Sequence, residues 1–412
     1  MTPMLRARPG RPVLTILHPF DPWGSTVGGI HSVVRQFLKY APASFAVRLI
    51  GVRERAALAP GVWHECAWEG RPFAFLPVCT IGDDNFRKPI PTALRYTAAL
   101  AGRRVVSDFL HFHRIETALA TATWPGERTL FIHNDTDAQL SEGSGRSAVL
   151  WKRLPAAYRT LEKALVGQFQ TIYVCHRRTT ERYRLRYPDL ASRILHLSNA
   201  FDDGIFAAKP AERRHKTRTR LALELGLSPD TRFVLFVGRL HAQKDPLLLV
   251  AAFARLAERC PEAHLLIAGD GDLGEVVRLA IAARRLTARV SLLGALPQAS
   301  LARLYRAAHV SVLTSLYEGM PLCVLESLAS GTPVVSTDCD EVSALVGTDC
   351  GEIVPVRDPE RVADALARQI ATEPPTAACV RRAAPFAARS RIEAVYGAMA
   401  ERHAREVLYG GR

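Results

Sequence analysis

The chain has 412 residues, 48% of them hydrophobic and 23% charged, a balance that excludes a disordered or fibrous protein. This length exceeds what one hydrophobic core usually supports, so two domains are expected. No apolar run is long enough for a membrane-spanning helix, and we expect no secretory signal before the first strand. The eight cysteines form no C-x-x-C pair, which favours reduced thiols in a cytoplasmic protein over a zinc site or disulfide framework.

The basic residues are concentrated in one segment. The formal net charge is +14, and residues 151–218 hold 15 Lys and Arg against 6 Asp and Glu. Such a segment predicts an anionic partner: a phospholipid surface, a lipid diphosphate or nucleic acid. Nucleic acid is the least favoured of the three, because no binding-motif spacing accompanies the charge. A solvated surface is the simpler alternative.

The N-terminal half alternates predicted strands with predicted helices, which implies a parallel sheet with connections on both faces. A buried strand over Val13–Leu17 leads through Gly28 and Gly29 into an amphipathic helix at about 30–40. The glycine pair lets the backbone approach a ligand there, although a bare Gly-Gly is more often a turn. Further elements are strands over 45–51, 73–78, 109–112, 129–133, 171–174 and 194–197, and helices near 89–107, 114–122, 148–167 and 176–186.

Two histidines end neighbouring strands of this half. His113 follows the strand over 109–112, and His133 ends the strand over 129–133. A lone histidine at a strand end is more often structural than catalytic. Ligands of open α/β sheets nevertheless bind outside the carboxyl ends of the strands, so both histidines are candidates.

The D-x-D spacing, which can hold a divalent metal, occurs three times. It appears at Asp135–Asp137, Asp270–Asp272 and Asp338–Asp340, in unrelated contexts. A spacing that recurs so readily is best interpreted as loop and capping residues. We therefore expect no catalytic metal.

The halves are joined by LHLSNAFDDGIFAAKP at 195–210 and by a charged stretch over 211–220, which we expect to be flexible. A strand over 232–238, ending in Gly238, comes next, and Arg239 and Lys244 flank the turn that opens the following helix. A solvated basic turn is the simpler interpretation. The alternative is that guanidinium and ammonium converge on a diphosphate.

A G-x-G-x-x-G pattern follows the strand over 264–268. It begins with Gly269 and Gly271, so a dinucleotide-binding dehydrogenase has to be considered. That fingerprint belongs to a first βα unit with an acidic residue about 20 positions further on. Here the next strand, over 290–293, ends in Gly294-Ala295, and the context fails.

The most informative stretch is LTSLYEGMPLCVLESLASGTPVV at 313–335. A buried strand ends in a turn with Glu318, and a short apolar helix begins at or near Pro321. Gly319, Met320, Pro321 and Leu322 place backbone N–H groups and a positive helix end at the strand's carboxyl edge. Glu326 lies in the second helical turn, among apolar residues where a carboxylate needs a hydrogen-bond donor. Both carboxylates can face one opening.

Two acids eight positions apart, with Gly-Met-Pro-Leu after the first, resemble the E-x7-E motif of family 4 (group 1) of the retaining GT-B glycosyltransferases. GRLHAQK at 238–244 and the segment at 195–210 resemble the same family. The resemblance implies an α/β GT-B fold, with two Rossmann-like doubly wound domains facing across a cleft. It places an acceptor domain at 1–205, a linker at 206–220, a donor-binding domain at 221–387, and a last helix at about 388–412 crossing back to the first domain.

The resemblance also implies roles for individual residues. Arg239 and Lys244 would stabilise the leaving nucleoside diphosphate, Glu318 would hold sugar hydroxyls, Glu326 would accept from ribose hydroxyls, and His133 would contact the donor sugar. The donor-binding set is completed by Gly28 and Gly29 near the phosphates, Gly238 and the helix start at 319–322, Gly269 and Gly271 facing the nucleotide, and Leu296 near the base.

The function implied is transfer of a sugar from a UDP- or GDP-type nucleotide sugar, without a cofactor, to a lipid-linked, polysaccharide or other glycan acceptor. A place in polysaccharide biosynthesis follows, in the cytoplasm or at the inner face of the cell membrane through 151–218. The alternatives are a nucleotide-sugar epimerase or phosphorylase, and a non-catalytic sugar-nucleotide-binding subunit. The last would be expected to lack basic residues in the phosphate site, and Arg239 and Lys244 are present.

Overall fold

The computed structural model describes residues 11–24, 29–54, 58–81, 91–133, 155–339 and 341–409. The chain divides into two compact units: unit 1 comprises residues 1–198 with 389–412, and unit 2 comprises 199–388. Each unit has its own sheet, mainly parallel in unit 1 and parallel in unit 2. The C-terminal segment of the chain therefore returns to unit 1.

Unit 1 contains, within the described residues, an eight-stranded sheet in the order β3-β4-β2-β1-β5-β6-β7-β8. Its strands are parallel except for β3, which pairs antiparallel with β4 at the edge. The strands are β1 (Val13–Leu17), β2 (Ala46–Arg53), β3 (His64–Trp68), β4 (Arg71–Thr80), β5 (Phe109–Phe112), β6 (Glu127–Ile132), β7 (Thr171–Val174) and β8 (Ile194–His196).

The helices of unit 1 cover apolar strands, because each parallel connection must cross a face of the sheet. They are α1 (Gly29–Lys39), α2 (Thr92–Leu100), α3 (Pro155–Val166), α4 (Arg177–Arg186) and the C-terminal α13 (Ala388–Tyr409), with 3-10 helices at Ile115–Ala120 and Pro188–Arg193. On α13, Tyr396 donates a 2.9 Å hydrogen bond to the Phe37 carbonyl, and Arg402 pairs with Glu127 at 2.8 Å. These contacts join the C-terminal helix to α1 and β6.

Unit 2 contains, within the described residues, a six-stranded parallel sheet in the order β11-β10-β9-β12-β13-β14. Its central strands are buried on both faces, as expected of a doubly wound sheet. The strands are β9 (Arg232–Val237), β10 (Ala263–Ala268), β11 (Val290–Gly294), β12 (Val310–Leu313), β13 (Val334–Thr337) and β14 (Gly351–Val354). The helices are α5 (Ala211–Glu224), α6 (Pro246–Arg259), α7 (Gly274–Ala283), α8 (Gln298–Ala307), α9 (Leu322–Ala329), α10 (Glu341–Leu345), α11 (Pro359–Ile370) and α12 (Thr376–Ala383).

The prediction that 211–220 is flexible is wrong, because these residues form most of α5. Arg214 and Arg218, one helical turn apart, are buried, and their guanidinium groups donate to backbone carbonyls of neighbouring elements. A stretch so rich in charge has the composition of a solvated linker. It packs as a helix because its buried arginines donate hydrogen bonds to backbone carbonyls far away in the sequence.

The sequence analysis also misjudged one helix boundary and one helix type, and it missed one strand. The helix predicted over 89–107 covers only α2, since Gly102 with φ of +76° turns the chain soon after Leu100. The predicted helix near 114–122 is a 3-10 helix, and β3 was missed because its residues are only partly buried. Across the described residues, no helix combines the length and apolarity that a bilayer crossing requires.

Candidate functional site

The strands that lead into the candidate residues of unit 2 lie side by side. β12 pairs with both β9 and β13, and all three run parallel. Their carboxyl ends therefore meet at one edge, where open α/β sheets bind ligands. Lys244 ends a 3-10 turn after β9, and Glu318 follows β12, so the fold joins side chains 74 positions apart.

Lys244 and Glu318 form a buried ion pair at this edge. Lys244 Nζ contacts Glu318 Oε1, to which Ser315 Oγ also donates. The two side chains are only 18% and 7% exposed. Burial by itself would lower the pKa of Lys244, but the Glu318 carboxylate and other nearby acidic groups raise it overall. The ammonium therefore stays charged at neutral pH.

The turn after β9 packs closely against the glycine turn after β10. A Cβ at Gly269 would lie 1.9 Å from the Gly238 carbonyl oxygen, and a Cβ at Gly271 would lie 2.6 Å from the Leu240 carbonyl oxygen. Gly269 N also donates to the Gly294 carbonyl at 2.8 Å. Glycine is thus required at the first two positions of the G-x-G-x-x-G pattern, where neighbouring strand ends meet, and no dinucleotide is needed to account for them.

The remaining donor-site candidates of unit 2 lie close to this edge in sequence. Arg239 is exposed and directly follows Gly238. The Lys244 side chain packs beside Gly238, because a Cβ added at Gly238 would lie 3.7 Å from Lys244 Cε. Leu296 is half-buried and packs against the apolar core on one face of the sheet. Asp270, from one of the D-x-D spacings, accepts a 2.8 Å hydrogen bond from Gly271 N, which is a loop role.

The turn between β12 and α9 is fixed at its end by a long-range contact. The Asn199 side-chain amide donates a 2.9 Å hydrogen bond to the Met320 carbonyl. Pro321 precedes the helix with φ of −72° and ψ of 118°, and α9 begins at Leu322. The helix start and Gly319 therefore lie beside Glu318, and a helix N-terminus is a position that can bind an anion.

Arg357, which the sequence analysis did not single out, connects the turn after β12 to the turn after β9. It lies between β14 and α11, and its guanidinium donates to the Ser315 carbonyl at 2.7 Å and the Thr314 carbonyl at 3.0 Å. The same group pairs with Asp245 at 2.5 Å. Arg357 thus links the turn that carries Glu318 to the residue after Lys244. Its only sequence signal is an arginine following a strand, which is too common to use.

Asp245 itself needs this support. It has φ of +40° and ψ of 64°, a left-handed conformation that is costly for a residue other than glycine. Its side chain accepts from Leu248 N at 3.1 Å and caps α6, and Thr314 Oγ1 donates to the Lys244 carbonyl at 2.8 Å. The strained turn is held from three sides, which fixes the backbone of Lys244.

Arg357→Ala is expected to lower the kcat of a reaction that depends on Lys244 and Glu318 about 10- to 100-fold, because displacement of a reacting group by about 1 Å has effects of this size. Arg357→Lys should recover only part of kcat, since one ammonium cannot replace a fork that contacts three oxygens. Arg368→Ala, which removes an exposed ion pair with Glu352, is the matched control. Unchanged kcat in Arg357→Ala would contradict the positioning role, and a change in melting temperature alone would indicate a purely structural one.

Glu326 lies on α9 in apolar surroundings and is 6% exposed. Tyr305 Oη donates to its carboxylate at 3.3 Å. Burial raises the pKa of Glu326 to about 7, and the Tyr305 hydrogen bond opposes the shift. The group is therefore poised between its neutral and ionised forms near neutral pH.

Glu326→Gln should become progressively more stable than the parent protein as pH rises from about 4.5 to about 7. The reason is that the folded state binds the Glu326 proton more tightly than the unfolded state, so ionisation above the ordinary pKa opposes folding. The advantage should be constant above about 7. Melting temperatures of both proteins against pH would test this, with the exposed Glu275→Gln as control. A pH-independent difference would contradict the raised pKa.

Unit 1 gathers histidines at the carboxyl ends of its central strands. His113 Nδ1 and His133 Nε2 are 2.8 Å apart, and the two rings stack with centroids 5.1 Å apart. Burial lowers the pKa of His133 to about 4, so its imidazole is neutral at neutral pH. His18 and His31 join this group, with ring centroids 5.4 Å apart. The sequence analysis missed His18 as a candidate, although it directly follows β1.

Only some of the other candidates of unit 1 lie within the described residues. Gly29 begins α1, whereas Gly28 and the Asp135–Asp137 motif lie outside the described residues, as does Asp340 of the third motif. Within the described residues, no group of three His, Cys, Asp or Glu side chains is placed to hold a metal ion.

Solved structures define the class of fold. A sucrose-phosphate synthase from Thermosynechococcus elongatus superposes with a TM-score of 0.72 at 20% identity, covering 98% of this chain and 100% of that one. Anabaena HepE, solved in complex with UDP-glucose, superposes with a TM-score of 0.65 at 16% identity, covering 95% and 100%. The chain has the GT-B fold with two Rossmann-like units, as predicted.

Sequence comparison points to a particular family. Residues 231–372 match the family model for "Glycosyl transferases group 1". A D-inositol 3-phosphate glycosyltransferase from Corynebacterium diphtheriae is 33% identical over 203 residues, which is 46% of this chain and 47% of that protein. The match thus spans about half the length of the curated relative. These findings support the group 1 glycosyltransferase family, and the family model covers Arg239, Lys244, Glu318 and Glu326.

Proposed function

We propose that the protein is a retaining glycosyltransferase that moves a hexose from a UDP- or GDP-type nucleotide sugar to a glycan or lipid-linked acceptor. The observation that carries the proposal is the Lys244–Glu318 pair at the carboxyl ends of β9 and β12, beside the start of α9. A fixed cation and a helix N-terminus suit a departing diphosphate. The family match over 231–372 and the GT-B fold support this reading.

Each candidate residue has a proposed task. Arg239 and Lys244 offset the charge that develops on the leaving diphosphate, so that no metal is needed. Glu318 accepts from sugar hydroxyls while Lys244 holds its carboxylate in place. Glu326 accepts from the ribose hydroxyls. His133, kept neutral by burial, contributes a hydrogen bond to the sugar rather than charge.

The finer assignments are also proposals. UDP is the favoured nucleotide, because HepE was solved with UDP-glucose bound. The acceptor class, a role in polysaccharide biosynthesis and a peripheral location at the inner membrane face follow from the family resemblance and from the basic segment 151–218. An epimerase or phosphorylase on the same fold, or a non-catalytic binding subunit, are the competing functions.

Donor binding is tested by melting temperatures with UDP-, GDP- and ADP-sugars, since a ligand at 100 times its Kd stabilises by about 2.7 kcal/mol. The preferred donor is then assayed for release of nucleoside diphosphate with and without a lipid-linked acceptor. Acceptor-dependent release of nucleoside diphosphate with retained anomeric configuration supports the proposal. The same release in the presence of a metal chelator supports a metal-independent reaction. Release into water or phosphate alone would favour the alternatives, and binding without release would favour the non-catalytic subunit.

A further inference from the structure

A cavity of about 390 Å³ on unit 2 is lined almost entirely by cations. It lies between α5 and α8 and extends to Lys209, which precedes the N-cap of α5. Its lining consists of Thr217 and six cations: Lys209, Arg213, Lys216, Arg220, Arg303 and Arg306. We call it the α5–α8 groove. It is built wholly within unit 2 and contains none of the residues proposed above for sugar transfer.

The groove arises from two regular stripes of side chains. On α5, Arg213, Lys216 and Arg220 recur at intervals of three and four, so they share one helix face. The opposite face carries the buried Arg214 and Arg218. On α8, Arg303 and Arg306 are three positions apart and also share a face. Two sets of cations that line one concavity form an electrostatic site rather than a scatter of surface charge.

Acidic side chains neutralise only part of this charge. Glu212 pairs with Lys216 at 2.6 Å, and Glu224 pairs with Arg220 at 2.9 Å and with Arg303 at 2.6 Å. Within the part of the chain that the structure describes, no carboxylate pairs with Lys209, Arg213 or Arg306. The groove therefore keeps a net positive charge.

A second basic surface of unit 2 shows what ordinary charge balance looks like. Around α6, Arg255 lies 3.6 Å from both Glu258 and Glu360, and Arg259 lies 2.7 Å from Asp364. Arg255 and Arg259 are thus each matched by at least one acid. In the α5–α8 groove, by contrast, six cations share two carboxylates among the described residues, those of Glu212 and Glu224.

One cation of the groove is held in place by the backbone. Arg306 donates to the Ala207 carbonyl at 2.8 Å and to the Ile205 carbonyl at 2.6 Å. These bonds fix the guanidinium without neutralising it. The N-terminus of α5, preceded by Pro210 and without a side-chain cap, adds a positive helix end beside Lys209. A charged group that is anchored before binding loses little entropy when an anion arrives.

We propose that the α5–α8 groove binds phosphate groups of a multiply charged ligand, either a lipid headgroup or a free polyphosphate. Arginine forks match phosphate oxygens two at a time, and lysine supplies a mobile point charge. The cavity is larger than one phosphate, and its lining includes one neutral residue, Thr217. The inference goes beyond the proposed sugar transfer and does not depend on it. It gives the anionic partner proposed for segment 151–218 a specific site, since Lys209, Arg213 and Lys216 belong to that segment.

The test uses the full-length protein with Lys209→Gln, Arg213→Gln and Lys216→Gln combined, all at exposed positions. The control combines Arg284→Gln, Arg361→Gln and Arg381→Gln, which are exposed on the same unit and remove the same charge. Binding is measured by co-sedimentation with phosphatidylcholine vesicles with and without phosphatidylglycerol, and by calorimetric titration with inorganic tripolyphosphate. Melting temperatures establish that both variants are folded.

The groove variant is expected to bind about 100-fold more weakly, from about fivefold per cation near an anionic surface, and the control only about threefold more weakly. Loss on phosphatidylglycerol vesicles identifies a headgroup, and loss restricted to tripolyphosphate identifies a free ligand. Equal binding by parent and groove variant, or no binding of either probe by the parent, would overturn the proposal. So would tripolyphosphate binding that is lost in Lys244→Ala but kept in the groove variant. A donor-induced shift in melting temperature should be the same in the groove variant, which keeps this test separate from that of sugar transfer.

Discussion

Lys244→Ala is expected to lower kcat for sugar transfer by roughly 30- to 1,000-fold, equivalent to about 2–4 kcal/mol of transition-state stabilisation. The ammonium is largely buried, charged and fixed against Glu318, so it can stabilise charge that develops on a leaving diphosphate without first reorganising. The measurement is steady-state release of nucleoside diphosphate with the preferred donor. Turnover equal to that of the parent would remove the mechanism.

A control is needed because the same substitution leaves the Glu318 carboxylate buried beside Ser315 without its cation. Such a carboxylate is costly and lowers stability independently of catalysis. The double variant Lys244→Ala/Glu318→Gln removes that charge. It should regain stability relative to Lys244→Ala, as measured by urea unfolding, but not kcat. Recovery of both together would mean that Lys244 acts on the fold alone.

Arg214→Met is expected to destabilise unit 2 by about 3 kcal/mol or more, because it leaves buried acceptors without their donor. Arg214 is 3% exposed, and its guanidinium donates to the Ser330 carbonyl, to the Ala308 carbonyl at 3.3 Å and to Thr332 Oγ1 at 3.0 Å. Burial lowers the pKa of Arg214 to about 10, which still leaves it charged at neutral pH. The side chain ties α5 to the ends of α8 and α9.

Calorimetric unfolding should show the loss as a fall of about 6–12 °C in the midpoint of unit 2. Arg213→Met, at the exposed neighbouring position, is the matched control and should change stability by no more than about 0.5 kcal/mol. Equal midpoints for the two variants would mean that α5 packs loosely. They would restore the interpretation of 211–220 as a flexible segment, which the structure contradicts.

The predictions from sequence succeeded where the signal is local. Strands inside the sheet read as largely apolar runs, so β1, β5 and β7 lie where they were expected. The turn-helix chemistry of Gly319–Pro321 likewise depends on neighbouring residues. The prediction failed at β3, because an edge strand that is only partly buried has a weak hydrophobic pattern. It also failed at α5, because the buried face of that helix carries arginines instead of apolar residues alone.

What the sequence determined by itself is the alternation of strands and helices and the kinds of side chain at the strand ends. Tertiary structure alone decided that Lys244 would pair with Glu318, that Arg357 would bond to Ser315 and Asp245 near them, and that Arg214 would donate to carbonyls at the ends of two other helices. The physical reason is range. Backbone periodicity is set by residues a few positions apart, whereas each of these polar groups finds a partner more than 40 positions away, and only the packing of strands and helices in the folded unit brings them together.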